Sequence, residues 1–152
     1  LDFNWKEPET EITPDEVDDA LAELDHDLSP GELVFIETGA DKLWGTPEYT
    51  TDFPGMGAAA TKYLVERGIK VIGTDAYGFD KPFRTMGKRF AASRDSDELW
   101  PAHFAGRDVE YCQIEKLANL DLLPRRTDVP VVTFPVKIEN ASAGWVRPVA
   151  FV

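Results

Sequence analysis

The chain is poor in the residues from which disulfides, metal clusters and membrane spans are built. Its single cysteine, Cys112, excludes an internal disulfide. It has two histidines, His26 and His103, so it cannot by itself assemble a three-histidine metal site or an H-E-x-x-H helix. The longest apolar runs are strand-length, far from the ~20 residues of a transmembrane helix, and no basic stretch followed by an apolar one opens the sequence. A soluble, cytoplasmic protein is the expectation. Basic residues are outnumbered: 16 Lys and Arg face 28 Asp and Glu, a formal charge of −12. Nucleic acid and anionic membranes are poor partners for such a surface, because binding them requires clustered cations. Absence of a Gly-Lys-Ser/Thr loop excludes a Walker phosphate site, and absence of a G-x-S-x-G turn removes the basis for a serine triad.

What is present suffices for a core. In 152 residues, 43% are apolar, with nine Phe, four Trp and four Tyr, which predicts one domain spanning residues 1–152. After an extended entry segment from Asp2 to Ile12, Thr13-Pro14-Asp15-Glu16 has the form of a capping box with proline at the first helical position. The spacing of Val17, Ala20, Leu21 and Leu24 predicts one apolar helix face. Leu33 to Ile36 reads as a buried strand, followed by a loop from Gly39 to Tyr49. A second helix is expected from about Gly57 to Arg67, with Ala60, Tyr63 and Leu64 inward and Gly68 ending it in the left-handed region. Strand Ile69 to Gly73, loop Thr74 to Pro82 and a basic helix around Arg84 to Arg94 follow. Trp100-Pro101-Ala102-His103 reads as irregular, Tyr111 to Glu115 as a short strand, and Lys116 to Leu123 as a helical turn closed by Pro124. Two late strands, Val129 to Ile138 and Arg147 to Val152, are expected to pair antiparallel. The alternation predicts an α/β domain with a mixed sheet.

Several residues invite a chemical reading. Gly55-Met56-Gly57-Ala58-Ala59-Ala60 matches G-x-G-x-x-A, and Asp75 follows at the distance of a dinucleotide fingerprint. No strand is expected before Gly55, because Thr46 to Pro54 holds two prolines and no apolar run, so a helix-entry turn is the better reading. His26, between Asp25 and Asp27 at a helix end, is explained by favourable charge placement there. Cys112 in an apolar strand context is expected to be buried and inert. Asp75 and Asp80 bracket a loop after a strand, where paired carboxylates can do acid–base work but where Asp is also common in turns. His103 and Glu115 share neither helical nor strand spacing and can meet at one ion only if the segment between them folds back. Asn140-Ala141-Ser142 is a formal glycosylation sequon, expected to go unused.

The runs Leu33-Val34-Phe35-Ile36-Glu37-Thr38-Gly39-Ala40-Asp41-Lys42-Leu43-Trp44-Gly45-Thr46-Pro47-Glu48-Tyr49 and Ile69-Lys70-Val71-Ile72-Gly73-Thr74-Asp75 resemble the bacterial cyclase family. That family contains metal-dependent kynurenine formamidases, isatin hydrolases and polyketide cyclases. His103 to Glu115 followed by Leu117-Ala118-Asn119-Leu120, then Phe134-Pro135-Val136-Lys137-Ile138 and Ala141-Ser142-Ala143-Gly144-Trp145, extend the resemblance over nearly the whole chain. It implies a swivelling β/β/α fold and metal-dependent hydrolysis of an amide, lactam or related carbonyl in a small-molecule substrate, with zinc or manganese as cofactor. On that pattern His103 and Glu115 match two metal ligands, Glu115 able to bridge two ions. Departures are Gly78, where many relatives carry Ser in a D-x-x-S-x-D loop, and Ala40, where many carry an aromatic.

The family's main signature, HxGTHxDxPxH, which supplies the remaining ligands and an acid–base histidine, does not occur in this sequence. Leu1-Asp2-Phe3 resembles the family's sequence some way after that motif, so the chain is expected to be the C-terminal portion of a cyclase-type enzyme. The remaining ligands would lie on an N-terminal segment or a second chain. Such a portion carries no catalytic base of its own and should be inactive in isolation. It is expected to form a homo- or hetero-oligomer, because strand edges left open need covering. A decayed homologue would also lack the motif, and the competing class is a non-catalytic acidic interaction module on the same fold. A small dehydrogenase would require nucleotide binding at Gly55 to Ala60.

Overall fold

A computed structural model describes residues 1–152. Its centre is a three-stranded parallel sheet in which β4 (Val71–Thr74) lies between β2 (Leu33–Ile36) and β5 (Cys112–Ile114), with Val34 opposite Ile72 and Ile72 opposite Gln113. Two short strands, β1 (Glu11–Ile12) and β3 (Gly55–Met56), pair in parallel, and β6 (Val131–Val132) pairs antiparallel with β7 (Val149–Ala150). The expected α/β class, with parallel and antiparallel pairing, is what forms. The antiparallel strands make their own two-stranded sheet and have no place in the parallel one.

Helix α1 (Pro14–Glu23) begins as its sequence demands. The Thr13 side chain accepts from the Glu16 amide, and Glu16 reaches back to the Thr13 amide at 2.9 Å. Val17, Ala20 and Leu21 are buried. Helix α2 (Ala58–Glu66) buries Ala60, Thr61, Leu64 and Val65, and Gly68 leaves it at φ +90°. These helices pack with Ala102 on one face of the sheet, around Val34, Ile36, Ile72 and Phe79. The opposite face holds a smaller cluster of Ile114, Leu117 and Leu120 beneath Phe35, Val71 and Val146. Strand β2 alternates accordingly, Val34 and Ile36 to one layer, Phe35 to the other.

Four expectations require correction. Trp100-Pro101-Ala102-His103 is not irregular: Pro101–Ala105 form a short helix, α4, after the third long helix, α3 (Phe83–Ser93). Its capping partner is a carboxylate more than twenty residues upstream, invisible to a local reading. Cys112 is exposed at the start of β5, because the strand expected over Tyr111 to Glu115 forms only at Cys112–Ile114 and lies at a sheet edge with one neighbour. The late strands are shorter than expected, and the turn within Lys116 to Leu123 is confined to Leu120–Leu122. Finally, Asp75 and Asp80 are no ordinary turn residues; both are buried.

The glycines of the G-x-G-x-x-A run serve chain crossing. A Cβ on Gly55 would stand 2.1 Å from the Lys81 backbone nitrogen, and one on Gly57 would meet the Glu11 carboxylate at the same distance. The segment before them is a 3-10 turn, Pro47–Thr50, with no strand leading in from it, so the nucleotide reading fails on geometry. Thr13→Ala should cost about 1 kcal/mol and Leu64→Ala about 2–5 kcal/mol in urea unfolding, without altering far-ultraviolet circular dichroism of the native state.

Candidate metal centre

The candidate residues gather at the C-terminal ends of β2, β4 and β5, where ligand sites of parallel sheets form. Asp75 directly follows β4. Its Oδ1 accepts from the Thr38 amide at 2.8 Å and the Thr38 hydroxyl at 2.7 Å, while Oδ2 accepts from the Gly39 amide at 2.8 Å. Burial pushes this carboxyl above the usual carboxylate range, against the pull of those donors. Asp75 therefore fixes the loop leaving β2 and has no oxygen left free of a donor for acid–base work.

Asp80 does the same for α4 and for the histidine. Its Oδ1 accepts from the Ala102 amide at 2.6 Å, and its Oδ2 accepts from the His103 amide at 3.3 Å and pairs with His103 Nδ1. With Nδ1 committed, the other ring nitrogen, Nε2, faces the site. It lies 3.8 Å from Glu115 Oε1, so the segment between His103 and Glu115 does fold back and brings the two together. Glu115 is positioned in turn: Oε1 accepts from the Phe79 amide at 2.9 Å, and Oε2 meets Lys116 Nζ at 3.1 Å. The hydrogen bond that the His103 ring donates to Asp80 raises the His103 pKa, with burial opposing it.

Gln113, two residues before Glu115 and so on the same side of β5, places its amide nitrogen against His103 Nε2 while its oxygen accepts from the Tyr111 hydroxyl at 3.1 Å. Strand alternation was the available signal for Gln113; for Asp80 it was the D-x-x-S-x-D pattern of the resemblance. His26 stands apart, bonded through Nε2 to Glu32 at 3.1 Å. No three His, Cys, Asp or Glu side chains converge in a way that could hold a metal ion. Two of the donors do suit one: His103 carries a carboxylate on Nδ1, which orients a metal-binding imidazole, and Glu115 supplies a neighbouring oxygen.

A cavity of about 180 Å³ adjoins these groups, lined by Phe53, Tyr77, Phe83, Trp100, His103 and Glu115 among others. Edge-to-face contacts link its wall, Tyr77 to Phe83 at 6.4 Å and Phe83 to Trp100 at 5.9 Å between centroids, and Tyr49 backs Tyr77 at 5.7 Å. Tyr49 donates to the Asp75 backbone oxygen at 3.2 Å, and burial pushes its phenol up to about 12.

The family model described as "Putative cyclase" matches residues 1–81. An isatin hydrolase bound to the product analogue thioisatinate is 27% identical, with a TM-score of 0.78 over 100% of this chain and 58% of that one. Isatin hydrolase A from Labrenzia aggregata, bound to benzyl benzoate, is 24% identical, with a TM-score of 0.73 over 99% of this chain and 57% of that one. A potential metal-dependent hydrolase with cyclase activity is 19% identical, with a TM-score of 0.68 over 99% and 61%. No curated protein matches by sequence. The chain thus has the α/β fold of these hydrolases, the fold class that the resemblance implied, and spans about three-fifths of their length. It belongs to the cyclase family.

Two measurements check this geometry. Asp80→Asn should lower the His103 pKa toward its ordinary value, followed by the ring-proton chemical shift across pH. Because Asp80 raises that pKa in the folded state, the stability it contributes is present below the unfolded histidine value and is lost as pH rises through the folded one; the wild type's advantage over the variant should therefore narrow at alkaline pH. In an absorbance titration of the four tyrosines, Tyr49 should ionise late, near pH 12, and Tyr111, which burial raises further, later still; Tyr49→Phe should remove the earlier of these two late steps and leave the other. The raised Tyr49 value likewise means that the stability it contributes holds below pH 10 and fades as pH rises toward 12.

Proposed function

We propose that this chain is the metal-binding, C-terminal part of a hydrolase that opens an amide, lactam or related carbonyl in a small molecule. The observation that carries the reading is the His103 ring, oriented by Asp80 through Nδ1, with Nε2 3.8 Å from the Glu115 carboxylate beside an aromatic cavity. His103 and Glu115 would hold a divalent cation, zinc or manganese. When bound, such an ion lowers the pKa of water from 15.7 to about 7 and polarises the carbonyl under attack.

The chain's own residues prepare that chemistry. Asp80 keeps the proton on Nδ1 and the Nε2 lone pair directed into the site, where the Gln113 amide donates to it and must give way to an ion. The Phe79 amide steadies Glu115 Oε1. Phe53, Tyr77, Phe83 and Trp100 offer flat apolar surfaces that would seat a planar acyl compound and exclude water from the scissile bond. Hydrolysis adds water across the C–N bond and delivers a proton to the departing nitrogen. Neither Asp75 nor Asp80 is free to move that proton, so the general acid–base comes from outside residues 1–152, as do the remaining ligands.

His103→Ala and Glu115→Gln should each weaken zinc or manganese binding by about tenfold or more, measured by chelator competition, with circular dichroism unchanged. In a protein or complex that also supplies the HxGTHxDxPxH segment, His103→Ala should abolish amide and lactam hydrolysis. The isolated chain should show none. Turnover by the isolated chain with metal added would overturn the division of the site, and metal binding indifferent to both substitutions would leave an acidic interaction module.

A further inference from the structure

Between Asp75 and Asp80 the chain reads Ala76-Tyr77-Gly78-Phe79, one glycine set among aromatic residues. A chain keeps a glycine where the backbone turns left-handed, where a Cβ would strike a neighbour, or where a ligand must come close to the backbone. The first two reasons fail at Gly78. Its φ lies outside the left-handed region, and a Cβ there would meet nothing nearer than the Asp80 backbone oxygen at 3.8 Å and the Phe53 ring at 3.9 Å, ordinary contact distances. Alanine would therefore fit, and by narrowing the unfolded ensemble it would stabilise the fold. Glycine costs stability here and gains none in packing. The Gly78 N–H and C=O also bond to no other backbone group, which leaves that peptide open to water or to a ligand.

Gly78 lines the aromatic cavity, as do Phe53 and Asp80, the two residues that a Cβ would touch. The missing side chain is therefore a recess in the cavity wall with room for one carbon. Its place is set by the next peptide. The Phe79 amide donates to Glu115 Oε1 at 2.9 Å, and covalent geometry puts Gly78 Cα about 2.4 Å from that nitrogen, hence within about 5 Å of the carboxylate oxygen. The recess thus opens beside the reacting end of the cavity. The flat walls of Tyr77, Phe83 and Trp100 suit the large planar part of a substrate, and a one-carbon recess suits what is small.

We propose that Gly78 sets the acyl specificity of this site, a role that rests on the hydrolase reading of the cavity: the recess receives a carbon attached to the scissile carbonyl. The substrate is then an amide or lactam whose carbonyl bears carbon. A formamide, whose carbonyl bears hydrogen, leaves the recess empty and forfeits the contacts of one methyl group. A wall filled by alanine excludes that group instead. In an apolar pocket one methylene is worth about 10–200-fold in kcat/KM, so the glycine is enough to decide between the two acyl classes.

Acetanilide, which water cleaves to acetate and aniline, and formanilide, which it cleaves to formate and aniline, differ by that one carbon. In a protein or complex that also supplies the HxGTHxDxPxH segment, Gly78→Ala should lower the ratio of kcat/KM for acetanilide over formanilide about tenfold or more. The midpoint of urea unfolding should stay equal or rise. Turnover with an unmoved ratio overturns the proposal and leaves the hydrolase reading intact; a fall in the urea midpoint overturns it by making the glycine structural. Tryptophan fluorescence, with Trp100 in the cavity wall, follows binding of the same two anilides without turnover. If neither is hydrolysed but Gly78→Ala weakens acetanilide binding about tenfold more than formanilide binding, the hydrolase reading falls and the acyl recess stands. No binding of either anilide, or an equal loss for both, overturns the recess.

Discussion

The Asp80 carboxylate is the interaction on which the site depends. It is buried, and a buried carboxylate is tolerated only when donors surround it. Three do so from one short element: the amides of Ala102 and His103 and the His103 ring. The first two are groups that any helix leaves unpaired at its start, so one carboxylate nucleates α4 and orients its histidine in the same act. Nothing in the five residues of α4 would hold a helix in isolation. Their conformation is borrowed from the loop that follows β4.

That arrangement ties the loop between β4 and α3 to its neighbours along its whole length. Asp75 at its start is satisfied by Thr38 and Gly39, Asp80 near its end is satisfied by α4, and between them the Phe79 amide holds Glu115. Three strands and a helix are thereby referenced to one stretch of six residues. Such referencing is what brings His103 and Glu115 together, because donors from separate elements can act jointly only if they agree in position to within about half an ångström. The cost is that both carboxylates are spent on structure.

What was legible in the sequence divides along local and non-local lines. The capping box at Thr13, the stripe of Val17, Ala20 and Leu21, the run Leu33 to Ile36 and the stop at Gly68 are each determined within a few residues, and each forms as read. The expectation that no strand leads into Gly55 held for the same reason, since it turned on the prolines before it. The helix at Pro101 did not announce itself, because its cap lies on Asp80. Cys112 misled because an apolar neighbourhood in sequence does not distinguish a central strand from an edge, and β5 has a single neighbour. Likewise no spacing rule connects His103 to Glu115; only the pairing of β5 with β4 returns the chain to the histidine.

The distribution of charge and apolar surface links the site to the rest of the molecule. A chain of net −12 tolerates a divalent cation near Glu115 and favours its approach, while repelling anions from the same cavity. Lys116 answers that field locally, bonded to Glu115 and poised 4.7 Å from the Tyr77 ring centroid. One lysine at the rim thus offsets part of that negative field beside the cavity, its cation set against the aromatic wall.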